Sequence, residues 1–220
     1  MTALSWSGGK DSALALQELR ERGGPAPEVL ITTVTAGHER VSMHGVRREL
    51  LARQAQAAGL PLVEVEIPPG CSNELYEQRM GQALAEPPLT ASETIAFGDL
   101  FLADIRAYRE ERLARVGKRA SFPLWGRDTA ALAREFIARG FEAILVCVDP
   151  RRLDPSFAGR RYDAELLAAL PPDVDPCGEN GEFHTFVYAG PVFSAPIGHA
   201  VGATVERDGF VFCDLLPADA

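Results

Sequence analysis

Short β-branched runs alternate with segments of helical spacing through the first half of the chain, and this alternation is the strongest constraint on what it can fold into. Leu4-Ser5-Trp6 reads as a short extended start, Val29 to Val34 as an apolar strand, Leu62 to Ile67 as an alternating strand and Thr94 to Phe97 as a further short one. Between them, Lys10 to Arg22 has helical periodicity, with Ala15, Leu16 and Leu19 on one side and a stop at Gly23-Gly24-Pro25. Gly45 to Ala58 reads the same way, as does the segment behind Ser72, a cap residue followed by Tyr76, Met80 and Leu84 at four-residue spacing. Asp99 to Val116 reads as a long helix with an exposed face of Arg106, Arg109, Glu110 and Arg112. Such alternation implies crossover connections and a parallel sheet, in which ligands bind at the carboxyl ends of the strands where strand order reverses. Ser7 to Ser12, Ala36 to His44 and Gly98-Asp99 are therefore the segments in which to seek chemistry.

The second half has a different pattern. Ser121 to Trp125 and Ala143 to Val148 are strand-like, and Thr129 to Arg139 is a helix between them that Asp128 can cap. Asp149 to Arg161 reads as a polar loop and Ala164 to Leu170 as a short helix closed by Pro171-Pro172. Phe186 to Phe193 and Thr204 to Cys213 look like antiparallel strands. The expected fold class is α/β, a Rossmann-like parallel-sheet domain over residues 1–126 with a smaller α+β domain over residues 127–220.

Charge and cysteine usage exclude some functions. The chain has 220 residues, of which 22 are Lys or Arg and 31 Asp or Glu, a formal charge of −9. So acidic a chain is a poor non-specific binder of nucleic acid or of anionic membranes. No apolar run approaches the roughly 18 to 20 residues of a membrane span, and the N-terminus shows no basic-then-apolar secretory pattern, so the cytoplasm is the expected compartment. Cys71, Cys147, Cys177 and Cys213 are scattered, with no CxxC pair of the kind that marks zinc or redox sites. Inert thiols in a reducing compartment are the expectation.

Trp6-Ser7-Gly8-Gly9-Lys10-Asp11-Ser12 is the most informative stretch, because it follows a strand and opens a helix. Two glycines let backbone N–H groups turn towards an anion, Ser7 and Ser12 add hydroxyls, Lys10 adds a positive charge, and the helix N-terminus adds its dipole. These groups together suit a phosphate or pyrophosphate. The Walker A loop is a different pattern, since it needs Ser or Thr after its Lys and here Lys10 precedes Asp11.

SGGKDS resembles the PP-loop of the ATP pyrophosphatases, the adenine nucleotide alpha-hydrolase-like superfamily, with its HUP-type Rossmann-like fold. Four further stretches are similar to the diphthine–ammonia ligase family, in its bacterial branch. They are Met43-His44-Gly45, Phe97-Gly98-Asp99-Leu100, Pro123-Leu124-Trp125-Gly126-Arg127, and Gly178-Glu179-Asn180-Gly181-Glu182-Phe183-His184-Thr185-Phe186. The resemblance covers about Ala3 to Val187 and implies that Ser7, Gly8, Gly9, Lys10, Asp11 and Ser12 hold pyrophosphate, with His44 and Gly98 beside the adenosine. It implies ATP and Mg²⁺ as cofactors, with Asp11 or Asp99 as candidate ligands of the metal. It makes Trp125, Arg127, Glu179, Asn180, Gly181, His184 and Thr185 the substrate-binding set, and Lys10, Asp99 and Glu182 the catalytic one.

Each of these positions also has a plain structural reading. His44 can be an ordinary hydrogen-bonded histidine, Asp99 a helix cap and Trp125 simple core, whereas Arg127 suits a carboxylate or phosphate. Glu179 to Thr185 is either a surface turn before a strand at Phe186 or a substrate loop facing ATP across a cleft. The relatives carry a GEGGE-type loop with an acid two positions on. Here Asn180 replaces the middle glycine and His184 replaces that acid, which favours a neutral or anionic substrate over a quaternary ammonium.

The reaction this implies is ATP-dependent amidation: a substrate carboxylate, small or protein-borne, is adenylated with release of pyrophosphate, and ammonia, free or delivered by a partner, displaces AMP. A homodimer is compatible with the sequence. Two rival readings remain, a tRNA-thiolating PP-loop enzyme, which would want CxxC and a basic surface, and a sensor that holds ATP or AMP without turnover.

Overall fold

In the computed structural model, which describes residues 1–23, 26–37, 40–41 and 45–219, the first half of the chain forms a sheet whose middle strand is its first. That strand, β1 (Thr2–Ser5), pairs in parallel with β2 (Pro27–Thr35) on one side and with β5 (Thr94–Ala96) on the other. β4 (Leu62–Ile67) adds to β2 and β6 (Arg119–Ser121) adds to β5, again in parallel. The short β3 (Arg40–Val41) pairs antiparallel with Val34 and Thr35, beyond Ile31 where the β1 pairing ends. The chain thus leaves β1 in one direction, returns, and continues on β1's other side. The switch point predicted for ligand binding lies at the carboxyl ends of β1 and β5.

Residue alternation along the strands explains why both faces are covered. Leu4 and Leu30 face α1 (Lys10–Glu21) and α2 (Arg48–Ala58), packing with Leu14, Leu16, Leu50 and Leu51. Their neighbours Ala3, Val29 and Ile31, with Val65 and Ile95, face the other way. They meet Leu84 of α3 (Asn73–Ala85) and Leu113 of α4 (Ala103–Arg115). Ser72 caps α3 as its position predicts, accepting from the Leu75 N–H.

The second half builds an antiparallel sheet in the order β8-β7-β10-β9, from β7 (Glu142–Val148), β8 (Phe183–Ala189), β9 (His199–Arg207) and β10 (Phe210–Pro217). α5 (Thr129–Ala138) and α6 (Ala164–Ala169) accompany it, capped by Asp128 and Asp163. The core on the α1–α2 side of the first sheet runs unbroken into this unit through Phe136, Leu145, Phe183 and Phe186.

Four expected elements are displaced, the helix by tertiary contacts and the strands at local turns. The fourth long helix starts at Ala103 rather than Asp99, because the backbone before it is engaged elsewhere: Leu100 donates to Glu179, and its carbonyl accepts from Gly126. The strand expected over Ser121 to Trp125 is shifted back to Arg119–Ser121, and Phe122 to Arg127 turn instead, around Pro123 and Gly126. The strand expected from Phe186 begins at Phe183 and stops before Gly190-Pro191. The single segment expected over Thr204 to Cys213 is a hairpin, turning at Asp208-Gly209, both with positive φ (53° and 78°).

Candidate active site

The glycine loop, from Ser7 to Gly9, links the end of β1 to the start of α1 and is held from below by one buried side chain. Gln54 of α2 is fully buried. It accepts from the Trp6 indole N–H at 3.0 Å and donates to the carbonyls of Gly8 (3.0 Å) and Val187 (2.6 Å). Gly8 has φ of +76°, and a Cβ there would stand 2.6 Å from the Gln54 Oε1. Glycine is required at this position by the backbone and by the packing against Gln54.

The loop also seals the open edge of the second sheet. β8 is an edge strand, and its outward groups dock on the loop instead of on water: the Val187 N–H donates to the Gly8 carbonyl at 2.9 Å, and the Thr185 Oγ1 accepts from the Lys10 N–H at 3.0 Å. Gly9, the N-cap of α1, has no side chain to cap the helix, so Thr185 satisfies one of its orphan donors from across the cleft.

Above the loop lie two cavities that share Ser5, Ser7, Phe97 and Arg109 in their walls. The polar one, of about 250 Å³, is lined by Gly9, Lys10, Asp11, Ser12, Gly98, Asp99, Cys177, Glu179, Gly181, His184 and Thr185. The apolar one, of about 340 Å³, runs between the sheet and α3–α4, against Ile31, Thr33, Val41, Tyr76, Met80, Ile95 and Leu113. Glycine is needed at Gly98, in the wall of the polar cavity, because a Cβ there would come within 2.8 Å of the Asp11 carbonyl carbon. The glycine expected to admit a ligand thus first of all admits the start of α1.

The polar cavity is charged on both sides. Lys10 is buried (4% exposed), and its Nζ reaches both Asp11 oxygens at 2.7 and 2.9 Å. Burial works against the ammonium, but the Asp11 carboxylate beside it more than offsets this and holds the Lys10 pKa above its ordinary value. Burial pushes the Asp11 carboxyl up, against the pull of Lys10. Glu179 accepts from the Leu100 N–H at 2.7 Å, yet burial carries its pKa up to about 7, with Asp11 and Asp99 adding repulsion. Burial, and then Lys10, push His184 down to about 4, so it is a neutral imidazole at pH 7. Burial also raises the Cys177 thiol to about 12, and the thiol donates to the Thr129 carbonyl.

The structure brings most of the predicted residues together but not all. Gly8 lies beneath the cavity rather than in its wall, and His44 lies outside the described residues. Asp99 is not a helix cap. It pairs with Arg109, Oδ1 accepting from Nη2 at 3.2 Å and Oδ2 lying 2.9 Å from Nε at an angle too oblique for a hydrogen bond. Glu182 is 1% exposed and turned away from both cavities. Its Oε1 accepts from the Asp175 N–H and from the Asn180 side chain, so both residues brace the loop from behind.

Trp125 and Arg127 are also outside the cavities. The Trp125 ring packs on Phe122 and the Arg106 guanidinium, while Arg127 reaches Glu135 and Glu18. After the Gly126 turn the chain runs towards α5, which aims Arg127 at these carboxylates.

Arg109 and Arg112, read as an exposed face, instead line the apolar cavity. The sequence carries a signal for this inward placement, since Arg109 is one helical turn from the buried Leu113 and shares its face.

Residues 1–122 match the family described as the diphthamide synthase N-terminal domain, and residues 128–205 match the diphthamide synthase C-terminal domain. A diphthine–ammonia ligase of Danio rerio is 28% identical over 87% of this chain and 83% of its own. One of Rattus norvegicus is 32% identical over 41% of this chain and 37% of its own. Among the described residues no helix is long and apolar enough to cross a membrane.

Proposed function

The chain belongs to the diphthamide synthase family, and from that membership we propose that it is an ATP-dependent ligase that adenylates a carboxylate and amidates it with ammonia. The observation that carries this reading is the pair of adjoining cavities over the glycine loop, with Ser5, Ser7, Phe97 and Arg109 in the walls of both. The apolar one has the character of a purine and ribose site, and the polar one, at the N-terminus of α1, has that of a pyrophosphate site. A nucleoside triphosphate crossing from one to the other puts its α-phosphate at their junction. Cleavage between the α- and β-phosphates is the reaction such a placement serves.

In this scheme Lys10 and the N–H groups of the loop hold the departing pyrophosphate and stabilise the charge that grows on it. Among the described residues no three His, Cys, Asp or Glu side chains are grouped to hold a metal. Asp11 and Asp99 nevertheless fit Mg²⁺ as the one or two carboxylates that accompany phosphate oxygens in such sites. When bound, Mg²⁺ would neutralise phosphate charge. Glu179, at the cavity wall and half-titrated near pH 7, is suited to take the proton lost when ammonia attacks the acyl carbon. Thr185 and His184 face the same space from β8.

The substrate is a carboxylate whose neighbourhood meets a neutral imidazole, His184, and this favours a neutral or anionic molecule over the quaternary ammonium of diphthine. Burial raises the thiols of Cys147 and Cys177 to about 12, which disfavours either as the thiolate of a sulfur-transfer reaction. Free cysteines throughout suit the cytoplasm. The test is to supply ATP, Mg²⁺, isotope-labelled ammonium and a panel of carboxylates, with diphthine among them, and to search for the label in an amide. Label in a neutral or anionic product is expected. Amidation of diphthine alone would overturn the substrate assignment, and AMP formation without any amide would overturn the ligase.

A further inference from the structure

Resting on that reading, we infer that Arg109 holds the α-phosphate of ATP and stabilises it while the carboxylate attacks. In the step it serves, a carboxylate oxygen forms a bond to the α-phosphorus. The bond from that phosphorus to the bridging oxygen breaks, and pyrophosphate leaves with the electron pair.

Among the described residues Arg109 is the one charged side chain in the walls of both cavities, shared there with Ser5, Ser7 and Phe97. A nucleotide with its base in the apolar cavity and its terminal phosphates over Lys10 must pass this junction with its α-phosphate. The guanidinium is fixed there from two directions. It lies over the Phe97 ring at 4.2 Å, and Asp99 holds one edge of it. A guanidinium has five N–H donors, more than one carboxylate can engage, so donors remain for an oxyanion at the junction. Its helix neighbours are already committed: Arg112 pairs with Glu77 at 2.9 Å and Arg106 lies over the rings of Phe122 and Trp125. Lys10, buried against Asp11, lines the polar cavity and not the apolar one, and there the β- and γ-phosphates would sit.

The assignment is tested by binding three fragments to the whole protein by calorimetry: adenosine, AMP and inorganic pyrophosphate. Only AMP carries the α-phosphate. R109Q should weaken AMP roughly ten- to a hundred-fold while leaving adenosine and pyrophosphate within about two-fold of the unaltered protein. Lys10→Ala should show the converse, losing pyrophosphate and keeping AMP. R109K, which keeps the charge but not the fork, should lose AMP by less than R109Q, and it carries the test if R109Q fails to fold.

Unchanged AMP binding in both Arg109 variants would overturn the inference and leave the proposed reaction standing. So would equal weakening of adenosine and AMP, which would mark Arg109 as part of the wall of the base pocket. An unaltered protein that binds neither AMP nor pyrophosphate would remove the proposed reaction and this inference together.

Discussion

Replacing Gln54 by Leu should cost about 2–6 kcal/mol of folding stability, although the side chain lines neither cavity. The figure follows from counting what loses its partner. Gln54 is fully buried and serves three groups. The Gly8 carbonyl keeps a second partner, the Val187 N–H at 2.9 Å. The Trp6 indole N–H and the Val187 carbonyl are left with none from a side chain of similar volume, and each orphaned buried group costs about 1–3 kcal/mol. Gln54→Glu should cost at least as much, because it keeps the acceptor for Trp6 but turns an oxygen onto two carbonyls. Urea unfolding followed by Trp fluorescence reads both, as a lower midpoint at constant slope. A loss below about 1 kcal/mol for Gln54→Leu would refute the reasoning, since it would mean that the glycine loop and β8 stay joined without this side chain.

Other consequences follow from the same contacts. Thr185→Val removes the acceptor of the Lys10 N–H and should cost about 1–3 kcal/mol, with Thr185→Ser restoring most of it; equal thermal midpoints for the two variants would contradict the link. His184, ordinarily near 6.5 and here near 4, favours the folded state only while neutral. Its contribution is therefore complete above pH 6.5 and falls as pH drops towards 4, by about 2–4 kcal/mol at 1.36 kcal/mol per unit. His184→Gln should flatten the acid limb of the stability profile by that amount, and parallel profiles would contradict its burial. Asp214 joins Arg40 and Arg47 at 2.8 and 2.7 Å. Burial pushes its carboxyl up, but these two arginines pull harder and bring it down to about 2. The stabilisation, about 2 kcal/mol, is present above pH 3.8 and lost as pH falls through 2. Asp214→Ala should lower stability at pH 7 by about that much, and an unchanged midpoint at pH 7 would count against the pairing.

What the sequence made legible was local. The alternation of β-branched runs with helical spacing is a short-range pattern, and it placed the parallel sheet, α1, α2 and α3 close to where they are. The caps Ser72 and Asp128 act within one turn of their helices and were equally readable. The glycine loop was readable because its chemistry is contiguous from Ser7 to Ser12.

The hairpin turn at Asp208-Gly209 is local, but most of what was not legible depended on contacts between distant residues. The helix start at Ala103 is set by Glu179 and Gly126, seventy-odd and twenty-odd positions away along the chain. Arg127 and Arg109 are equally polar in sequence. One is drawn outward by Glu18 and Glu135, and the other inward by Asp99 and Phe97. Glu182 and Glu179 sit in the same loop, and the positive φ of the intervening Gly181 (83°) helps turn one into the core and the other to the cavity. Gln54, which ties the glycine loop to both sheets, belongs to no motif at all.

Above all, this loop should support cleavage of ATP between its α- and β-phosphates. It is tested most directly by supplying Mg²⁺, ATP labelled at the α-phosphate, ammonium and a panel of carboxylates, and separating the labelled products. Labelled AMP is expected, formed only with a particular carboxylate and lost in Lys10→Ala. Labelled ADP, or AMP formed equally well by Lys10→Ala, would contradict it.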